Sequence, residues 1–144
     1  MTVSLRRPRV AALAFLAVLS AAAPAAAETI NLRADLKAAN EVPPNDSPAT
    51  GSLTAAYDTA TKKLTWKGSY SNLTGPAVAA HFHAGEPGKN GGIQVPITGA
   101  GSSPFEGSAT LTDAQASDLL AGRLYVNVHT AAHTAGEIRG QVQK

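Results

Sequence analysis

The 144-residue sequence contains no cysteine, which removes disulfides, thiol nucleophiles and thiolate metal ligands from the chemistry available to it. Stability must come from packing and backbone pairing. Any bound metal must be held by imidazole, carboxylate or backbone oxygen. Aromatic residues are sparse, with one Trp, three Tyr and three Phe. No apolar run beyond the first 27 residues approaches the about 20 residues of a membrane span. Clustered base is missing as well. The chain has 12 Lys+Arg against 10 Asp+Glu, but Arg6, Arg7 and Arg9 lie in the N-terminal segment, leaving 9 basic residues against 10 acidic ones downstream. Only Lys62, Lys63 and Lys67 cluster there, with Trp66 as the one interleaved aromatic, so no nucleic-acid footprint is present.

Catalytic patterns are equally thin. There is no Gly-x-Ser-x-Gly, and Ser102-Ser103 falls in a loop without a paired His and Asp. Glu86, Glu106 and Glu137 belong to different elements, so no pair of carboxylates is forced together. Glu137 and Arg139, two apart on one strand face, read as a structural ion pair, with each other or across the sheet. The run GEPGKNGG from Gly85 to Gly92 lacks phosphate-loop spacing and reads instead as a tight connection. No constellation here predicts an enzyme.

The N-terminus predicts an export signal over residues 1–27. The three arginines make a basic start, Val10 to Ser20 an apolar core, and Ala25-Ala26-Ala27 a small-residue cleavage pattern before Glu28. The apolar core is too short to span a bilayer, and Pro24 interrupts any helical continuation. The reading implies a periplasmic or extracellular protein with no transmembrane anchor after cleavage. Removal of 27 of the 144 residues leaves 117, enough for one domain, 28–144, with a modest core.

Alternation dominates that domain. Thr29–Lys37 sets Ile30, Leu32 and Leu36 against Asn31, Arg33, Asp35 and Lys37, a half-buried strand. The proline-rich stretch Asn40–Ala49 reads as a loop. Gly51–Tyr57 and Lys63–Ser71 form a hairpin facing Leu53, Ala55 and Tyr57 with Leu64, Trp66 and Tyr70. Trp66, the lone tryptophan on an apolar strand face, is a packing anchor. In Val78–Ala84, Val78, Ala80 and Phe82 alternate with Ala79, His81 and His83. Ile93, Val95 and Ile97 make a strand that Pro96 marks as an edge, and Phe105–Leu111 another. Thr112 to Gln115 matches a capping box, predicting a helix from about Asp113 to Ala121 that stops at Gly122 and buries Leu119 or Leu120. Arg123–Thr130 and Glu137–Gln143 close the chain. The expected fold is mainly β, an antiparallel β-sandwich of seven or eight strands with one short helix.

All four histidines fall in two stretches, AAHFHAGEPGKNGG from Ala79 and YVNVHTAAHTAGEIRGQ from Tyr125. His81 and His83 share one strand face about 6.7 Å apart at the backbone. If the fold sets Ala80–His83 beside Val126–His129, three imidazoles converge. The metal-ligand candidates are His81, His83, His129 and, from the loop after it, His133. A tri-imidazole set with an open position suits Cu(II) or Zn(II), copper binding more tightly.

The motifs ANEVPP (Ala39–Pro44), AHFHAG (Ala80–Gly85), Asn90-Gly91, GRLYVNVHT (Gly122–Thr130) and GEIRGQ (Gly136–Gln141) together resemble the CHRD domain, named after chordin. The resemblance spans nearly all of the chain after the leader. It implies an exported β-fold binding domain without a settled biochemical activity. A shorter resemblance, His-x-His on a strand with a Gly-rich loop and a later histidine, is to the copper site of copper-zinc superoxide dismutases. The cysteine pair and the histidine-rich zinc loop of that family are missing here. Three functions are therefore expected to compete: a metal-binding protein, a structural or adhesion module meeting a protein or glycan, and a small metal-dependent enzyme.

Overall fold

The computed structural model describes residues 26–144. Apart from its last two positions, the expected leader over residues 1–27 lies outside the described residues. The strands, in chain order, are β1 (Thr29–Lys37), β2 (Thr50–Asp58), β3 (Lys63–Ser71), β4 (Ala77–Ala84), β5 (Ile93–Pro96), β6 (Phe105–Thr110), β7 (Leu124–Thr130) and β8 (Ile138–Gln141), with helix α1 (Asp113–Leu120) between β6 and β7. All pairings are antiparallel, in the order β5-β4-β7-β8-β1-β2-β3-β6. The predicted mainly-β architecture is thus present with eight strands.

Alternation translates directly into sidedness. Leu32, Ala34 and Leu36 of β1 are buried while Asn31, Arg33, Asp35 and Lys37 are exposed. The β2–β3 hairpin sets Ala55 opposite Trp66 and Tyr57 opposite Leu64. Its turn is held by Asp58 Oδ1, which accepts from the Ala60 and Thr61 N–H groups at 2.9 and 2.8 Å. The capping box forms on α1, and Gly122 comes just after the helix with φ +70°, a conformation glycine adopts without strain. Of the two leucines at its end, Leu119 is buried and Leu120 is not.

The single sheet is folded over one core. Trp66 on β3 meets Phe82 on β4 edge-to-face, ring centroids 5.1 Å apart, although four strands separate β3 from β4 in the sheet order. The expected packing role of Trp66 is met, at 4 % exposure. The two halves join where β8 passes β1, through the Lys37–Arg139 pair and reciprocal Arg33–Gln143 backbone bonds of 2.8 and 2.9 Å. A Cβ on Gly140 would sit 2.6 Å from the Asp35 carbonyl oxygen, so that seam closes only around a residue with no side chain.

Two expectations need correction. Val78, read as sharing the buried face of Ala80 and Phe82, is 62 % exposed, because the β4–β7 register shifts between Ala77 and Ala79 and interrupts the alternation. Ile93, read as part of the strand's apolar face with Val95 and Ile97, is 56 % exposed, as it opens β5, the edge strand that Pro96 predicted. Replacing Gly140 by Ala is expected to destabilise the protein by about 1–3 kcal/mol, the usual penalty for forcing a methyl into a closed site. Urea unfolding measures it, and an unchanged midpoint contradicts the tight seam.

A candidate metal centre of three histidines

Strands β4 and β7 pair so that His81 faces Asn127, His83 faces Tyr125 and His129 faces Ala79. Ala80, Phe82, Val126 and Val128 enter the core, which turns the residues of opposite parity to the outer face. Here that face is not solvated. Every residue of β7 is buried, because loops cover the outer side.

Those loops orient the rings. His83 Nδ1 lies 2.9 Å from the Gly91 carbonyl and His129 Nδ1 3.0 Å from the Thr134 carbonyl. A carbonyl can only accept, so each Nδ1 carries the proton and each Nε2 presents a lone pair. His81 Nδ1 lies 3.2 Å from His129 Nε2, and the coordinating atoms of the three rings fall within 4.8 Å of one another. Tetrahedral zinc with bonds of about 2.0–2.1 Å separates its ligand nitrogens by about 3.3 Å. The His81–His129 pair already stands at that spacing, with His83 within the same 4.8 Å grouping. Gly91 delivers its carbonyl because a Cβ there would collide with the Ala84 carbonyl.

The environment favours neutral rings. Burial draws His81 and His129 below the ordinary imidazole range. Repulsion from neighbouring imidazoles adds to this at both rings, while the Thr134 bond opposes it at His129. His83 and His129 are each 8 % exposed, whereas His81 is half-buried and borders a groove of about 270 Å³ between Val78–His81 and Pro96–Gly101. Access to the centre therefore lies on the His81 side.

His133 is not among the three. It sits half-buried in the turn after β7, where its backbone bonds to Thr130 and Gly136 shape the turn. Sequence reasoning passed over Tyr125, Asn127 and Glu41. Tyr125 stacks on His83, centroids 5.0 Å apart, and the Arg139 guanidinium lies 3.4 Å above the Tyr125 ring centroid. Their shared odd numbering with His129 along β7 was a usable signal for Tyr125 and Asn127. Glu41, 6 % exposed, came from a loop that no periodicity reaches; burial pushes its carboxyl up to about 7, with Arg139 opposing.

The expected Glu137–Arg139 ion pair is corrected. Arg139 donates instead to Asn90 Oδ1 at 3.0 Å and the Lys89 carbonyl at 2.7 Å. Glu137 collects Ser47 Oγ, Thr130 Oγ1 and both the N–H and Oγ1 of Thr74. Each group has a full set of partners from the covering loops, leaving none for the other.

The fold and the ring geometry define an antiparallel β-sandwich built around clustered imidazoles, and the motifs that place them are those of one family. The CHRD domain matches residues 32–142, and the chain belongs to that family. No curated protein and no solved structure matches it.

Although burial alone would raise the Glu137 carboxyl, the donated bonds hold it down at about 2, against an ordinary 4.5. Its stabilisation is therefore complete above pH 4.5 and lost as pH falls toward 2. Glu137→Gln is expected to lower stability at pH 7 by about 2 kcal/mol, the scale of a hydrogen bond to a charged group, and to flatten the acid limb. Denaturation between pH 2 and 7 tests both.

Proposed function

We propose that this protein is an exported transition-metal-binding protein whose centre is His81, His83 and His129, with His133 at its periphery. The carrying observation is that backbone carbonyls commit two imidazoles to present Nε2 toward the third ring. The lone pair of His129 Nε2 already accepts from His81 Nδ1, but that of His83 Nε2 is buried with no protein partner, a demand that metal ligation would meet. Nitrogen donors of this number and spacing suit Cu(II) or Zn(II), copper being favoured at equal free concentration. Binding rather than catalysis is the reading offered, because the grouping these three rings form is a set of metal-ligand nitrogens.

Titration with Cu(II) and Zn(II) tests the proposal. Wild type is expected to bind one ion, His81→Ala/His83→Ala to lose at least about 100-fold in affinity, and His133→Ala to change little. Equal affinity of the double variant and wild type sinks it. Because ligation needs neutral imidazole and burial holds His81 and His129 below the ordinary value of about 6.5, affinity is expected to hold at pH 7 and to fall at a lower pH than a free imidazole would set, as those rings protonate.

Export is part of the proposal and rests on the pattern of residues 1–27; among the described residues, no helix is long and apolar enough to cross a membrane. Intact mass of the protein recovered from a bacterial periplasm is expected to begin at Glu28. A mass retaining Met1–Ala27 contradicts it.

A further inference from the structure

Two buried side-chain atoms on the outer face of β4 and β7 have no protein partner: His83 Nε2 and Asn127 Oδ1. Asn127 is 2 % exposed and lies on β7 directly between Tyr125, which stacks on His83, and His129, which packs against His81. It stands opposite His81 itself. Its side chain is thus at the floor over which the three rings converge.

The amide is oriented. Nδ2 donates to the Ala135 carbonyl at 3.3 Å and lies 2.6 Å from the point that a Cβ on Gly136 would occupy, with the Glu41 carboxyl crowding the same point. The nitrogen end therefore faces the Gly136 turn, and Oδ1 is left buried without a donor. An oxygen buried without a donor keeps the desolvation penalty of its lost water. Here it shares its face with an imidazole nitrogen that is also a lone-pair donor. Two lone pairs with no proton between them call for a cation.

We propose that Asn127 Oδ1 is the fourth donor of the histidine centre, which makes it a three-nitrogen, one-oxygen site for Cu(II) or Zn(II). The inference rests on the metal-binding reading above and extends it by naming the ligand in the open position. Asn127 contributes directly through oxygen, while its Nδ2 bond to Ala135 holds the same turn that supplies Thr134 to His129. Glu41, on the Nδ2 side, favours the amide orientation that leaves Oδ1 free to donate its lone pair.

X-ray absorption and electron paramagnetic resonance of the Cu(II)-loaded protein test this, alongside calorimetry of wild type, Asn127→Ala and Asn127→Asp. The expected first shell contains three imidazole nitrogens and one oxygen. Asn127→Ala is expected to weaken Cu(II) at least about tenfold, the scale for losing a supporting group at a metal site, and to shift the copper spectrum. Asn127→Asp exchanges the amide oxygen for an anionic one and gives up the Nδ2 bond. It should bind more tightly than wild type, an outcome that a purely structural Asn127 does not produce. An unchanged spectrum and affinity in Asn127→Ala overturn the proposal, as does weaker binding by a folded Asn127→Asp. If Asn127→Ala does not fold, the wild-type absorption spectrum and Asn127→Asp still decide. Failure of wild type to bind Cu(II) at all overturns the metal-binding reading together with this one, whereas wild-type binding that is indifferent to residue 127 overturns this one alone.

Discussion

Burial of β7 on both faces is the constraint on which the rest of the structure depends. Its inner residues, Leu124, Val126 and Val128, need only apolar neighbours, and the folded-over sheet supplies them. Its outer residues, Tyr125, Asn127 and His129, carry polar atoms that lose water when the loops close over them. Each such atom must then find a partner or remain costly. From the covering loops the Gly91 N–H donates to the Tyr125 hydroxyl, and the Thr134 and Ala135 carbonyls accept from His129 and Asn127, leaving only Asn127 Oδ1 without a partner on this strand face. The histidines are ordered because the strand beneath them is dry.

The cover is held without any disulfide. Glu137 and Arg139 take that role, each gathering chain segments that are distant in sequence. Glu137 ties the stretch around Ser47, the turn at Thr74 and the end of β7 at Thr130. Arg139 ties the glycine-rich connection through Asn90 and Lys89 while lying on Tyr125. Buried charges that are fully hydrogen-bonded hold geometry well, since removing either partner strands the other in low dielectric. Asn40 and Asn45 extend the arrangement by donating to the Arg139 and Glu137 carbonyls.

Rigid cover has a consequence for ligand chemistry. Rings whose tautomers are already set lose little freedom on binding an ion, and the depressed basicity of His81 and His129 keeps them neutral near pH 7. His81 differs from the other two in its partial exposure and its place beside the groove. Two rings are therefore anchors and one stands at the entrance.

Much of this was legible in the residues alone. Period-two alternation located the strands, Thr112 with Gln115 located the helix, and Pro96 marked an edge, because each of these signals acts within a few residues along the chain. The two-residue spacing of His81 and His83 put two imidazoles on one face for the same local reason. What the sequence could not determine was everything set by register between distant strands and by the loops above them. Val78 lost its place in the core to a register shift, and Glu137 and Arg139 turned from each other to loop partners that lie 49 to 90 residues away. His129 joined the cluster while His133, four residues on, did not. Asn127 became a buried polar group rather than an exposed one. Alternation tells which side of a strand a residue faces, but whether that side meets water is decided only when the rest of the chain arrives to cover it.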